Sequence, residues 1–153
     1  MTLLGLVSDT HDNTLLAAQA ASFFRERRVD GVFHMGDVTS PDSLDPFEGL
    51  PLVVVRGNND EEPWPETWRQ SFDGLALGAT HGHQRAHLAT LMDECDVVLH
   101  GHTHRRRAER VGRALIVNPG ALHRAPQRTC ALLELPSKRV VFYEVVETGV
   151  RRL

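Results

Sequence analysis

Five short apolar runs spread over residues 4–104 each end in residue types that bind metals, and no other feature restricts the fold as tightly. LGLVSDTH ends in Asp9 and His11, and VFHMGD ends in Asp37. PLVVVRGNND carries Asn58, LALGATHGH ends in His81 and His83, and VVLHGHTH ends in His102 and His104. A short apolar run bounded by polar residues reads as a strand covered on both faces. In open α/β sheets, ligands bind beyond the carboxyl ends of the strands. Repetition of the pattern therefore predicts that five strand tips converge on one crevice.

The intervening segments fit this reading. Strands are expected at Leu3–Val7, Gly31–His34, Leu52–Val55, Leu75–Thr80 and Asp96–Leu99. Asn13 is placed to cap a helix running to about Arg28, with Leu15, Leu16, Ala20, Phe23 and Phe24 near one face. Gln84–Glu94 has helical spacing at Leu88, Leu91 and Met92. Glu61–Ser71, with Pro63 and Pro65, reads as irregular and ending in a helical turn. Two hairpins follow, Arg107–Val111 with Ala114–Val117, and Thr129–Leu135 with Arg139–Val146. The tail from Glu147 to Leu153 is expected to fray. Helices alternating with strands, then antiparallel strands, predict an α/β class with mixed sheets in a single domain spanning 1–153.

Composition excludes several classes. Hydrophobic residues make up 41% and charged residues 24% of the 153, a globular balance with enough apolar surface for a core. The formal net charge of -3 leaves no broad basic footprint, so stable nucleic-acid binding is not expected. No apolar run approaches the ~18 residues of a membrane span, and the polar turn at Ser8 argues against a signal peptide. Cys95 and Cys130 form no CxxC and read as small buried hydrophobes, so a reducing, cytoplasmic setting is expected.

The spacing of the polar residues carries the chemistry. Residues two apart on an extended segment point to the same side, so Asp9 with His11, and His102 with His104, can address the same centre. Glycines at 36, 57, 82 and 101 allow tight bends beside them. A donor set of carboxylate, amide and imidazole suits Mn, Ni, Zn, Fe or Co rather than the all-oxygen sites of Mg and Ca.

The series D-x-H, G-D, G-N-x-D, H-G-H and G-H-x-H resembles the calcineurin-like metallophosphoesterase superfamily. With Asn118-Pro119-Gly120 it is similar to the small bacterial and archaeal phosphodiesterase branch. The resemblance implies a four-layer αββα sandwich with two mixed β-sheets and a centre of two divalent metal ions, manganese foremost. It implies that Asp9, His11 and His104 hold one ion, that Asn58, His81 and His102 hold the other, and that Asp37 bridges both. Asp37, Asn58 and His81 would then be the residues at the reaction itself, which would be attack of a metal-bridging hydroxide on a phosphodiester or phosphomonoester. A homodimer is implied on the same ground, with a small phosphate ester as the substrate.

One position departs from the family pattern. Many members carry histidine after the asparagine of the third motif, as general acid for the leaving group. Asn59 stands there in this chain, and asparagine is no acid at neutral pH. A preference for leaving groups of low pKa is therefore expected.

Other residues admit two readings. His34, Asn59 and Arg56 lie close enough in sequence to face a substrate, while His34 reads equally as a satisfied strand histidine. His83 is the alternative ligand in H-G-H. His100 reads as a strand-end residue, His87 as surface and His123 either as a loop residue or as one facing the substrate. Arg105-Arg106-Arg107 reads either as a site for a second phosphate or as a solvated strand edge. Trp64 and Trp68 can stack on a base or pack a loop.

Two function classes remain. One is a phosphoesterase. The other is a metal-binding interaction scaffold of the same fold with little or no catalysis, such as the retromer subunit that resembles this family. Scaffold members tend to lose a ligand of the first motif, and His11 is present here, which favours the enzyme.

Overall fold

The computed structural model describes Met1–Leu153, and its two sheets follow from which strands are apolar on both faces. Strand β1, Thr2–Val7, pairs in parallel with β2, Gly31–His34, which pairs in parallel with β3, Leu52–Val54. On its other side β1 pairs antiparallel with β9, Thr129–Leu135. Strands β10, Arg139–Val146, and β11, Gly149–Arg152, complete a six-stranded mixed sheet of order β11-β10-β9-β1-β2-β3. The second sheet has five strands. Its parallel centre is β5, Leu75–Thr80, β6, Val97–Leu99, and β8, Ala114–Asn118. Antiparallel edges are added by β4, Thr67–Phe72, and β7, Arg107–Val111.

Alternation along the strands sorts side chains into layers. Leu4, Leu6, Phe33, Met35, Ala131 and Leu133 from the first sheet pack against Leu77, Ala79, Val97, Leu99 and Val117 from the second. The opposite face of the first sheet is covered by helix α1, Thr14–Glu26, through Leu16, Ala17, Ala20, Ala21 and Phe24. Helix α2, Arg85–Glu94, covers the second sheet through Leu91, which packs with Val98 and Ile116. The layers therefore run helix, sheet, sheet, helix. Asn13 caps α1 by accepting a hydrogen bond from the Leu16 amide at 3.2 Å, and Arg28, at φ +54°, turns the chain out of the helix.

Two expectations are corrected. The segment Glu61–Ser71, expected to be irregular and to end in a helical turn, instead enters the edge strand β4 from Thr67. Most of its side chains face solvent, so it shows no apolar alternation, and its pairing with β5 places it. The tail does not fray at Gly149–Arg152. Residues 147 and 148 make a two-residue turn that returns β11 along β10, and Val150 packs against the core under α1. A 3-10 segment at Pro41–Phe47, not anticipated, buries Phe47 in the same core.

Candidate metal centre

Every parallel strand of both sheets ends at the same rim, and the polar tips meet there. Asp9 follows β1 with its side chain fully buried, and its amide donates to the Gly36 carbonyl at 2.9 Å. The amide of His11 donates to the Asp37 carbonyl, also at 2.9 Å, which ties the tip of β1 to the loop after β2. His81, directly after β5, is likewise fully buried. His102 and His104 lie on the loop after β6, and the His102 amide donates to Asp9 Oδ2 at 3.1 Å.

Donor atoms gather in two overlapping groups. Asp9, His11 and His104 form one, and Asp9, Asp37 and His81 the other, each with its ligating atoms within 4.8 Å of one another. Asp9 belongs to both groups, and Asp37 Oδ2 lies 3.5 Å from His81 Nε2 and 3.8 Å from His11 Nε2, within reach of a member of each. Asp9 Oδ1 is 3.3 Å from His104 Nε2 and 3.8 Å from His81 Nε2. The His102 ring centroid is 5.1 Å from that of His81. Asn58 and His102 are exposed at the rim.

Hydrogen bonds to the far sides of the imidazoles decide which nitrogen faces inward. His81 Nδ1–H donates to the Met35 carbonyl at 2.6 Å, leaving the Nε2 lone pair aimed at Asp9 and Asp37. His104 Nδ1–H donates to the Arg124 carbonyl at 3.3 Å, with the same result. Outer bonds of this kind orient metal-binding histidines.

Electrostatics favour a cation. Burial opposes ionisation of Asp9, but His104, His81 and the Ser8 hydroxyl together hold its carboxyl below the usual range. Burial likewise opposes ionisation of Asp37, and His81 and the two Asn59 donors outweigh it, so Asp37 ionises far below the usual carboxylate range. Burial would push His81 down, yet Asp37 and Asp9 raise it; His104 is raised chiefly by Asp9. Asp9 Oδ1 and His81 Nε2 are both buried without a hydrogen-bond partner. A buried carboxylate oxygen left unpaired is costly, and a divalent cation between these two atoms would satisfy both, so the donor set fits a metal.

The backbone here is contorted. Asp9, His11, Asp37, His102 and His104 all have positive φ, between 44° and 71°. Each such residue costs on the order of 1 kcal/mol, and such strain clusters at functional sites. Two glycines let the loops close on the carboxylates. A Cβ at Gly57 would overlap Asp37, and one at Gly101 would overlap Ser8 and Asp9.

Asp60 is the residue that sequence reasoning missed. It sits in G-N-x-D, but its type alone assigns it no role. Its carboxylate accepts from the amides of Asp37, Thr39 and Gly57, all at 2.8 Å, and so fixes the Asp37 loop against the Asn58 loop. His123, read as a loop residue or as one facing the substrate, stacks on His11 with centroids 4.1 Å apart and borders the site. Asn118 holds the loop after β6 by donating to the Gly101 carbonyl and to Thr103 Oγ1.

The three residues expected to face substrate make these contacts within the chain. His34 is buried, its Nδ1 accepting from the Gly36 amide at 3.1 Å and its Nε2–H directed at Thr10 Oγ1 at 3.0 Å, so neither nitrogen is free for a substrate. Burial pushes its pKa down to about 4. The backbone and side-chain amides of Asn59 donate to the two oxygens of Asp37, each at 3.0 Å. Arg56 Nε donates to the Asp60 carbonyl.

The pattern that defines the calcineurin-like phosphoesterase superfamily domain matches residues 2–138. The chain belongs to that superfamily. This calcineurin-like phosphoesterase is 32% identical over 136 residues to a phosphodiesterase of Methanocaldococcus jannaschii, covering 76% of this chain and 82% of its relative. An archaeal phosphodiesterase of known structure superposes with a TM-score of 0.86 at 27% identity, covering 94% of this chain and all of the other. Vps29 from Entamoeba histolytica, solved in complex with zinc, superposes with a TM-score of 0.78 at 23% identity over 99% of this chain and 97% of its own, a likeness of fold. Membership places the chain among metal-dependent phosphoester hydrolases.

Proposed function

We propose that this chain is a phosphodiesterase, with activity on phosphomonoesters as a secondary reading, and that it works with two divalent metal ions. Asp9, His11 and His104 would hold one ion, Asn58, His81 and His102 the other, and Asp37 would lie between them. The single observation that carries this is the pair of unpartnered buried atoms, Asp9 Oδ1 and His81 Nε2, facing each other across 3.8 Å beside Asp37.

Bound metals would acidify a water and neutralise charge on the phosphoryl oxygens. The chain's own residues do the rest. His81 and His104, fixed through Nδ1, keep their lone pairs inward. Asn59 orients Asp37 through both carboxylate oxygens, and Asp60 holds the two loops in register. Manganese is the first choice of metal, with nickel, zinc, iron and cobalt compatible with the donors. The domain would act as one unit over 1–153, in the cytoplasm, as a homodimer.

The test is hydrolysis of bis-p-nitrophenyl phosphate and p-nitrophenyl phosphate after chelation and reloading with Mn, Ni or Zn separately. Turnover restored by metal, higher on the diester and abolished in Asp37→Asn, is the expected result. Metal binding without turnover of either ester would favour a scaffold.

A further inference from the structure

The arginine run 105–107 is not absorbed by the metal centre, although it begins one residue after His104. Two cavities flank it. One of about 700 Å³ is lined by His100, Thr103, Arg105, Arg106, Arg107 and Glu109. The other, of about 250 Å³, is lined by His104, Arg105, Arg106 and Gln127 among others. The two share Arg105 and Arg106, and the smaller one includes an imidazole of the metal centre.

The charges are not equivalent. Arg107 Nε donates to Glu109 Oε1 at 2.5 Å, so the one carboxylate lining these cavities is already paired. Arg107 Nη1 also lies 3.4 Å from His100 Nε2, which fixes the side chain to the cavity wall. Arg106 is held over the Phe142 ring and donates to Gln127 Oε1 at 3.1 Å. That anchoring orients its guanidinium without neutralising it. The Arg105 guanidinium has no hydrogen-bond or ion-pair partner among those of the chain, while its amide donates to Thr103 Oγ1. A cleft lined by one sign of charge concentrates the opposite charge, and guanidinium forks suit phosphate.

We infer that Arg105 and Arg106 form a subsite for a second phosphate group of the substrate, beside the ester that is cleaved. The inference rests on the phosphodiesterase reading and narrows it: the preferred substrates are phosphodiesters that carry a further phosphate, as nucleotides with a second phosphate do. Arg106 presents an anchored guanidinium and Arg105 an unpaired one, and both line the two cavities, so the group would be held between them.

The test compares two esters that differ by one phosphate, thymidine 5′-(p-nitrophenyl phosphate) and its 3′-phosphorylated form. The expected KM is roughly fivefold lower for the 3′-phosphorylated ester, as suits two exposed charge contacts. In Arg105→Ala and Arg106→Ala the ratio of the two KM values falls toward one, and in Arg110→Ala, outside both cavities, it stays as in the parent. Equal KM values in the parent, or a ratio unmoved by the cavity variants, would overturn the subsite. Calorimetric titration of the metal-loaded protein with thymidine 3′,5′-bisphosphate separates the two claims, because it needs no turnover. Weaker binding in Arg105→Ala with no hydrolysis of either ester would keep the subsite and remove the enzyme. Binding unchanged in that variant would remove the subsite.

Discussion

His81 donates from Nδ1 to the carbonyl of Met35 at 2.6 Å, and this one bond determines which nitrogen the centre receives. Met35 follows β2 and His81 follows β5, so the bond also ties the first sheet to the second at the rim. His83, the other histidine of the pair, sits 5.4 Å away between ring centroids, is less buried, and belongs to neither donor group. His81→Ala is therefore expected to lower activity by more than the roughly 10–100-fold that loss of an outer partner costs, with bound metal reduced. His83→Ala is expected to cost less than about tenfold. Metal content by plasma emission, measured beside kcat, distinguishes the two; equal losses would reassign the ligand.

The carboxylate of Asp60 is a structural hub rather than a ligand. Asp60→Asn keeps one oxygen but turns an amide toward a backbone N–H. A loss of about 3 kcal/mol is expected, since bonds to a charged acceptor are lost inside the protein. For a chain of this length that is a fall of roughly 6–12 °C in Tm, read by calorimetry in chelator. A variant as stable as the parent would show that the loops hold without it.

Metal-free stability should carry the signature of His34. Its folded pKa of about 4 lies below the ordinary histidine value, so the unfolded chain takes up protons first as pH falls. The contribution is present above pH ~6.5 and is lost as pH drops toward about 4, by an amount on the order of 3 kcal/mol. Denaturant unfolding in chelator at several pH values, parent against His34→Gln, isolates it from the other histidines. A difference between the two proteins that does not vary over that window would contradict the assignment.

Asn59 grips Asp37 and supplies no acid, so expulsion of the leaving group should depend on its own basicity. The logarithm of kcat/KM for aryl phosphodiesters is expected to fall steeply with leaving-group pKa. In Asn59→His a shallower slope is expected, because an imidazole titrates near neutrality. A flat series in the parent would reveal an acid elsewhere.

Gly101→Ala tests the close approach of the loop after β6 to Asp9. A Cβ there collides with Ser8 and Asp9, so the loop must move, carrying His102 and His104 with it. Metal affinity is expected to fall by at least about tenfold while most of the core is retained. Circular dichroism with a metal titration reads both quantities.

The parts of the fold that could be read from sequence share a physical origin. Strands β1, β2, β5 and β6 are almost wholly buried, so their apolar runs are nearly continuous. Strand β4 has mostly exposed side chains, and β11 owes its order to pairing with β10, so neither leaves a local pattern. The site divides in the same way. Asp9, His11, Asp37, His81 and His104 stand at strand ends, where residue type and position agree, and the structure brings them together. Asp60 and His123 owe their roles to neighbours distant in sequence, respectively the Asp37 loop and the His11 ring. For His34 both readings stood open in the sequence, because nothing in the local pattern shows that Thr10 and Gly36 take both its nitrogens.

The left-handed turns at Asp9, His11, Asp37, His102 and His104 mean that this rim is assembled against the preference of its own chain. Glycine would rest more easily at any of the five. A selection for heat resistance alone, blind to catalysis, should drift toward glycine at exposed His102, where only the ring contacts with His81 and His83 are forfeited. The hardiest descendants of such a lineage would be those that had forgotten their chemistry.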